Sequence, residues 1–228
     1  MRLQLIRHGQ TPANIAGELD TAPPGADLTA LGRRQAASLV AALAEVPVVA
    51  IHASPAVRTQ QTAGPLAAAR GLEVTVSDGI QEIAAGDLEM RSDEEAVRTY
   101  LGTLTAWMHG EPDRRTPGGE TGHEFHERYA SAVRRLAAGR GPTDTVVAVS
   151  HGAAIRTFTA LAVDGVDREA IAGQRMVNTG GVLLEGDPDA GWRLLQWWSE
   201  PLGGAELLDT AAHDVTGETA DEALADAD

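Results

Sequence analysis

The sequence predicts an α/β fold in which helices cover both faces of a mostly parallel sheet. Short apolar runs, rich in β-branched residues and without strict alternation, occur at residues 2–7, 48–53 and 145–150. Such runs are typical of strands that are buried on both faces. Helical patterns separate them, and 228 residues with 43% hydrophobic content are enough for one elaborated domain. We therefore expect a three-layer α/β/α sandwich.

The elements follow one another in a regular order along the chain. After the first strand, helical patterns are predicted at 29–44, 55–70, 92–108, 119–138 and 151–163. Two further strands, at 181–185 and 192–199, flank the turn-prone stretch 186–191. We expect these two strands to form an antiparallel pair at one side of the sheet.

The last predicted strand carries three tryptophans. Because side chains alternate along a strand, Trp192 and Trp198 are expected on one face and Trp197 on the other. At least one large ring then needs cover from beyond the main core. A helix or the tail of the same chain could provide it, and so could a second copy in a homodimer.

The composition changes after residue 202. The final 26 residues contain no Lys or Arg, but they contain eight acidic residues: Glu206, Asp209, Asp214, Glu218, Asp221, Glu222, Asp226 and Asp228. Such composition is typical of solvated chain. We predict one domain over 1–202, followed by an acidic, mostly disordered tail over 203–228.

Composition also restricts the function. Without cysteine there are no disulfides, thiolate nucleophiles or thiolate metal sites. A net charge of -15 disfavours nucleic acid and anionic membranes as partners. The N-terminus shows no secretory signal, and no apolar run approaches the roughly 20 residues of a membrane span. We therefore expect a cytoplasmic protein.

Charged and imidazole side chains follow three of the predicted strands. Residues 7–9, 54–58 and 150–152 each follow a strand, and ligands bind at the carboxyl ends of the strands in such sheets. These segments would bring Arg7, His8, Arg58 and His151 into one pocket. Arginine binds phosphate oxygens in pairs, and nearby helix N-termini add positive potential. The pocket is therefore predicted to bind a phosphate dianion.

The same four side chains suit phosphoryl transfer. A neutral imidazole can attack phosphorus, while the arginines and a second, protonated histidine neutralise the oxygens in the transition state. The sequence thus predicts a small phosphorylated molecule as the partner.

The motifs around these residues resemble those of the histidine phosphatase superfamily, which includes cofactor-dependent phosphoglycerate mutases and many small-molecule phosphatases. The similarity covers residues 2–199. It consists of LIRHGQTPAN at 5–14, DLTALGRRQA at 27–36, SPAVRTQQTA at 54–63, QE at 81–82, GDLE at 86–89, PGGE at 117–120, SHG at 150–152 and Asn178.

The resemblance implies a phosphoglycerate mutase-like fold and assigns roles to individual residues. His8 would accept the phosphoryl group, with Arg7, Arg58 and His151 forming the phosphate cradle and Glu82 acting as acid and base. Asn14 and Thr21 match positions that help to bind the phosphate. No metal or other cofactor is required. If the loop around Met90 is repositioned, Asp87 or Glu89 would be the acid.

Three functions remain open at this point. We favour a metal-independent phosphomonoesterase over a cofactor-dependent phosphoglycerate mutase, because this chain lacks the Glu-Arg-His-Tyr-Gly stretch and the longer insertion of the mutases. A non-catalytic phospho-ligand binder is the third possibility.

His123 and His126 could hold a metal but suit a solvated helix face better. Three arginines belong either to the pocket mouth or to the general surface: Arg91, Arg114 and Arg115.

Overall fold

The computed structural model describes residues 1–225 and has the predicted α/β architecture. Asp226 and Asp228 of the predicted tail lie outside the described residues. The strands are β1 (Arg2–Arg7), β2 (Val48–Ala53), β3 (Val74–Val76), β4 (Thr145–Ser150), β5 (Gly181–Asp187) and β6 (Gly191–Trp198). The helices are α1 (Pro12–Ala16), α2 (Ala30–Ala42), α3 (Val57–Arg70), α4 (Glu94–Met108), α5 (Gly122–Ala137), α6 (Gly152–Ala162), α7 (Arg168–Ala172) and α8 (Ala220–Ala225).

The strands form one sheet in the order β3-β2-β4-β1-β5-β6. The first four are parallel, and β5 and β6 are added as the predicted antiparallel pair. Arg7, the last residue of β1, pairs with Ser150, the last residue of β4. Ala53 at the end of β2 pairs with Val149. The carboxyl ends of these three strands therefore meet at one edge of the sheet.

Hydrophobic cores lie on both faces of the sheet. Leu5 packs into a core with residues of α4, α5 and α6, whereas Ile6 packs with residues of α2 and α3. Adjacent side chains of β1 thus enter opposite layers, as the uninterrupted apolar pattern predicts. The predicted three-layer α/β/α arrangement is confirmed. Among the described residues, no helix is long and apolar enough to cross a membrane.

The predicted faces of the tryptophans in β6 are wrong. The pairing of β5 with β6 shifts register between Leu183 and Leu184, which pair with Gln196 and Leu194. This bulge leaves one residue of β6 unopposed and reverses the alternation beyond it. Trp197 therefore packs against the same core as Trp192. Its indole Nε1 donates to the carbonyl of Arg175 at 3.0 Å, so this chain itself covers the ring.

The expectation of a solvated, disordered segment after residue 202 is not met over its described part. Val215 and Ala223 are buried within the main core. The buried guanidinium of Arg156 donates to the carbonyls of Glu218 at 2.6 Å and Thr216 at 3.3 Å. A buried arginine needs such acceptors, and this stretch supplies them. Acidic composition alone did not reveal that requirement.

Candidate active site

His8 lies immediately after β1 and is 3% exposed. Its Nδ1 is 2.8 Å from the carbonyl oxygen of Gly9, an acceptor, and Arg58 Nε donates to its Nε2 at 3.2 Å. These partners place the ring proton on Nδ1 and a lone pair on Nε2. Burial, followed by the charges of Arg58 and Arg7, holds the pKa of His8 well below its ordinary value. His8 therefore presents a neutral, nucleophilic Nε2.

Close packing of the backbone fixes the turn after His8. A Cβ at Gly9 would lie 2.6 Å from the carbonyl oxygen of Gly32 on α2, so no larger residue fits. The Gly9 amide donates to Thr62 Oγ1 at 2.9 Å, and this hydroxyl donates to the carbonyl of Arg58. Helices α2 and α3 thus hold the segment around His8 from one side.

His151 stands after β4, with its ring centroid 5.2 Å from that of His8. Its Nε2 is 2.7 Å from Ser54 Oγ, and its Nδ1 is 3.4 Å from Arg58 Nη2. Burial first, then Arg58, His8 and Arg7, hold the pKa of His151 well below its ordinary value. These surroundings favour neutral His151 and not the protonated form expected from the sequence, because the arginines oppose another positive charge.

Arg58 projects from the first turn of α3 and connects both histidines. Besides its contacts to their ring nitrogens, Nη2 donates to the carbonyl of Asp20 at 2.8 Å, and Nη1 lies 3.5 Å from the Asp20 carboxylate. The loop before α2 therefore covers the outer side of this guanidinium.

Arg7 is fully buried and makes a bidentate ion pair with Asp214 from the C-terminal segment. Its Nη1 also donates to the carbonyl of Met176 at 2.8 Å, and its Nη2 to Thr216 Oγ1 at 2.9 Å. Its Nε is buried and has no hydrogen-bond partner in the described part of the chain. Both arginines of the predicted cradle thus contact an aspartate.

Glu82 lies in the loop between β3 and α4 and is 4% exposed. Its carboxylate accepts from the amides of Ile83 at 2.9 Å, Ala154 at 2.8 Å and Ala153 at 3.2 Å. The last two are at the N-terminus of α6, which stabilises negative charge. Burial is the larger effect and raises the pKa of Glu82 above its ordinary value. The group can therefore hold a proton closer to neutrality than an exposed carboxylate.

The two further predicted phosphate contacts are occupied by other partners. The Asn14 side chain accepts from the Thr11 amide at 2.9 Å and donates to Asp214 Oδ1 at 3.1 Å. Thr21 donates through its hydroxyl to Glu89 at 2.5 Å and accepts from the Ala85 amide at 2.9 Å. Asn14 adjoins the Arg7 pair, whereas Thr21 adjoins the Glu82 loop.

The alternative acids are placed less favourably than Glu82. Asp87 is exposed, and the Glu89 carboxylate accepts from the hydroxyl and amide of Thr21 and from the Ala22 amide. The backbone of Met90 has φ 61°, in the left-handed region that favours glycine. The turn after Glu89 therefore forms although this position is occupied by methionine and not by glycine.

The remaining candidates lie elsewhere. Arg91 pairs with Asp93, and Arg115 pairs with Glu124. His123 lies 3.6 Å from Asp113 on the surface. Within residues 1–225, no cluster of three His, Cys, Asp or Glu side chains could hold a metal ion.

Four further residues contact the predicted site but carry no motif of their own: Asp20, Arg128, Thr216 and Asp214. Asp214 lies in a stretch that composition assigned to solvent, although Val215 beside it gave an apolar signal. Arg128 Nη2 donates to the carbonyl of Glu82 at 2.9 Å. The sequence predicted the helix that carries Arg128, but not the direction in which this side chain points.

The sequence pattern of the histidine phosphatase superfamily (branch 1) matches residues 3–200. PE-PGRS family protein PE_PGRS11 of Mycobacterium tuberculosis is 36% identical over 219 residues, covering 90% of this chain and 38% of that protein. This chain thus spans 38% of that longer relative. Probable phosphoglycerate mutase GpmB of Salmonella typhi is 28% identical over 221 residues, covering 94% of this chain and 98% of that protein.

Solved structures of similar fold include proteins described as phosphatases, and they confirm the predicted phosphoglycerate mutase-like fold. The mycobacterial glucosyl-3-phosphoglycerate phosphatase in complex with VO3 superposes with a TM-score of 0.73 and 28% identity, covering 87% of this chain and 98% of that chain. The alpha-ribazole phosphatase from Shigella flexneri superposes with a TM-score of 0.67 and 27% identity, covering 88% and 97% respectively.

Proposed function

We propose, since this chain belongs to the histidine phosphatase superfamily (branch 1), that it is a phosphomonoesterase acting on a small phosphorylated metabolite through a phosphohistidine. The observation that carries the proposal is the unprotonated Nε2 of His8, buried beside Arg58 and His151. The phosphohydrolase class agrees with the phosphatases among the structural neighbours.

In the first step, His8 Nε2 attacks phosphorus and the bond from phosphorus to the alcohol oxygen breaks. Arg58 and the unpaired Nε of Arg7 stabilise the phosphoryl oxygens. The negative charge of the bound phosphate favours protonation of His151, which then also donates to these oxygens. Protonated Glu82 gives its proton to the departing oxygen, so the alcohol leaves neutral. The products are the free alcohol, phosphohistidine and a Glu82 carboxylate.

In the second step, water attacks the phosphohistidine. The Glu82 carboxylate takes a proton from that water while the bond from phosphorus to Nε2 breaks. Inorganic phosphate leaves, and His8 and Glu82 return to their starting protonation states. In both steps, His8 provides the nucleophile or leaving group and Glu82 provides the proton transfer.

The alternative function is that of a cofactor-dependent phosphoglycerate mutase. The similarity to the GpmB proteins supports this alternative. A mutase would pass the phosphoryl group to a second hydroxyl of the substrate instead of water. Efficient isomerisation of 3-phosphoglycerate with 2,3-bisphosphoglycerate, without release of phosphate, would support the mutase.

The test of the function is a panel of phosphomonoesters that includes p-nitrophenyl phosphate, with phosphate release and acid-labile protein phosphorylation measured after rapid quenching. We expect both with the native protein and neither with His8→Asn. The matched control is His123→Asn on the exposed surface of α5, which should keep native turnover. A native protein with neither signal would be a phospho-ligand binder.

A further inference from the structure

A cavity of about 450 Å³ lies beside Glu82. Its lining is mostly small residues and backbone, and its ionisable side chains are Glu82, Glu89, Glu120 and Arg128. Because an acid must contact the oxygen that it protonates, a cavity at Glu82 is where the alcohol part of the substrate would lie. This inference rests on the proposed function.

The single cation of this lining has no N–H left for a substrate. Arg128 Nε donates to Glu120 at 2.8 Å, and Nη2 donates to Glu120 at 2.6 Å and to the carbonyl of Glu82 at 2.9 Å. Its Nη1 donates to the carbonyls of Gly79 at 3.0 Å and Gln81 at 3.1 Å. A guanidinium has five N–H groups, and these contacts use all five.

The carboxylates make the cavity unfavourable for an anion. Glu89 and Glu120 outnumber Arg128, so the formal charge of the described lining is negative even when Glu82 is protonated, as the proposed first step requires. A carboxylate on the leaving group would meet like charges in a partly enclosed site without gaining a charged hydrogen bond.

We propose that this enzyme hydrolyses phosphomonoesters of uncharged alcohols, such as polyols, sugars or nucleosides, and discriminates against leaving groups that carry a carboxylate. The cavity discriminates by charge, because its small residues and backbone leave room for varied shapes. Phosphoglycerate would therefore be a poor substrate at this site.

The test compares substrates that differ by a carboxylate in place of a hydroxymethyl group. Glycerol 3-phosphate and 3-phosphoglycerate form one such pair, and sorbitol 6-phosphate and 6-phosphogluconate form a second. We expect kcat/KM to favour the uncharged member of each pair by about tenfold or more. Dissociation constants measured by calorimetry with His8→Asn should show the same preference without turnover.

A designed variant should reverse part of this preference. Ala22 is an exposed residue of the cavity rim, so Ala22→Arg adds a free cation there, and Ala22→Gln is the uncharged control of similar length. The ratio of kcat/KM for the uncharged substrate to kcat/KM for the carboxylate substrate should be about threefold to tenfold lower in Ala22→Arg than in Ala22→Gln. Equal kcat/KM values for the charged and uncharged members of a pair would contradict the inference. The same ratio of these values in Ala22→Arg and Ala22→Gln would also contradict it. Absence of all turnover would contradict the proposed function instead, and the dissociation constants would still decide the charge preference.

A second inference concerns Asp214. Its two carboxylate oxygens pair with Nη1 and Nη2 of Arg7, and Thr216 and the Met176 carbonyl complete the contacts of these nitrogens. Only Nε remains without a partner among residues 1–225. A Cβ at Gly152, next to His151, would lie 2.9 Å from this Nε. The unpaired donor therefore lies against the first residue of α6, the neighbour of His151 in the chain.

The geometry points to Asp214 as a positioning residue that holds the Arg7 guanidinium with Nε available to the phosphate. Bidentate pairing fixes the plane of a guanidinium better than a single contact does. The residues that follow Asp214 are anchored by Arg156, so the carboxylate comes from an ordered segment. The C-terminal segment would thus complete the phosphate cradle.

The test uses Asp214→Asn, which keeps the size and removes the charge. The matched control is Glu222→Gln, which removes another ion pair of the same segment, with Arg175 at 2.9 Å. We expect Asp214→Asn to weaken binding of inorganic phosphate by about tenfold and to raise KM for p-nitrophenyl phosphate, while Glu222→Gln leaves both unchanged.

Thermal midpoints of both variants separate this role from a structural one. Equal losses of stability with unchanged phosphate affinity would mean that Asp214 only docks the segment. Tighter phosphate binding by Asp214→Asn would mean that the carboxylate competes with phosphate for Arg7. Either result would overturn the assignment.

Discussion

His8 shows how neighbours select one of two similar ring nitrogens. The carbonyl of Gly9 accepts a hydrogen bond from Nδ1–H, and the permanently charged Arg58 can approach Nε2 only as a donor. The same arginine that would bind the phosphate therefore also keeps the nucleophile unprotonated. Burial acts in the same direction on the pKa of His8. Charge and tautomer are thus set by two hydrogen bonds and the lack of solvent.

At the residue scale, Glu82→Gln should separate proton transfer from phosphate binding. Without the acid, turnover of an alkyl phosphate should fall by about 10²- to 10⁴-fold. Turnover of p-nitrophenyl phosphate should fall much less in its first step, because its leaving group departs without a proton. Steady-state and burst kinetics with both substrates make the comparison.

The pH profile provides the control for that variant. Because burial raises the pKa of Glu82, kcat/KM of the native protein should fall on the alkaline side as the acid ionises. Glu82→Gln should lose this limb of the profile. Equal losses on both substrates together with an unchanged profile would show that Glu82 is not the acid.

The central residues were predictable because each follows a strand in a recognisable motif. The sheet topology brings together Arg7, His8, Arg58 and His151. Asp214 was not predictable, because an aspartate in an acidic stretch carries no motif and its partner is 207 residues away. Only the unmet acceptor requirement of a buried arginine would have suggested it.

At the element scale, α5 holds the loop that carries Glu82. Arg128 binds three carbonyls of this loop, and Glu120 keeps the guanidinium in place at the N-terminal side of the helix. Glu120 also accepts from the Ala84 amide at 3.3 Å. The orientation of Glu82, the proposed acid, therefore depends on a helix that lies outside the proposed phosphate cradle.

Arg128→Ala should impair the acid more than the nucleophile. We expect kcat for alkyl phosphates to fall by about tenfold to a hundredfold through misplacement of Glu82, with a smaller loss for p-nitrophenyl phosphate. Arg134→Ala, an exposed arginine of the same helix, is the control and should behave as the native protein. Equal losses on both substrates would assign Arg128 a purely structural role.

Elements with long, regular patterns were predicted well, and irregular ones were not. The five predicted helices begin and end within three residues of their observed bounds. Strand β3 has three residues and α1 and α7 have five each, too few to show a period. In β6, strict alternation of side chains predicted the wrong faces for the tryptophans. The bulge arises from the pairing with β5 and leaves little trace in the sequence of either strand.

At the scale of the whole molecule, the buried histidines make folding stability depend on pH. Their pKa values are lowered in the folded state, so the unfolded chain binds more protons below the ordinary pKa of 6.5. The free energy of unfolding should fall with decreasing pH by up to about 1.4 kcal/mol per pH unit for each histidine.

Denaturant unfolding between pH 7.5 and 5.5 measures this effect. The double variant His8→Asn with His151→Asn should show a flatter pH dependence than the native protein, and the difference between them cancels other groups such as Glu82. His123→Asn should keep the native slope. Parallel curves for the double variant and the native protein would show that neither histidine is held neutral by the fold.

The place of β1 in the sheet has a consequence for synthesis of the chain. This strand leaves the ribosome before the other strands of the sheet, yet its two neighbours are β4 and β5, at Thr145–Ser150 and Gly181–Asp187. At about 5–20 residues per second, the second neighbour follows roughly 10 to 35 s later. Until β4 emerges, the nascent chain carries an apolar strand with both edges unpaired, and one edge stays unpaired until β5 follows. Proteins that bind emerging polypeptides would therefore have to cover this strand until the sheet is complete.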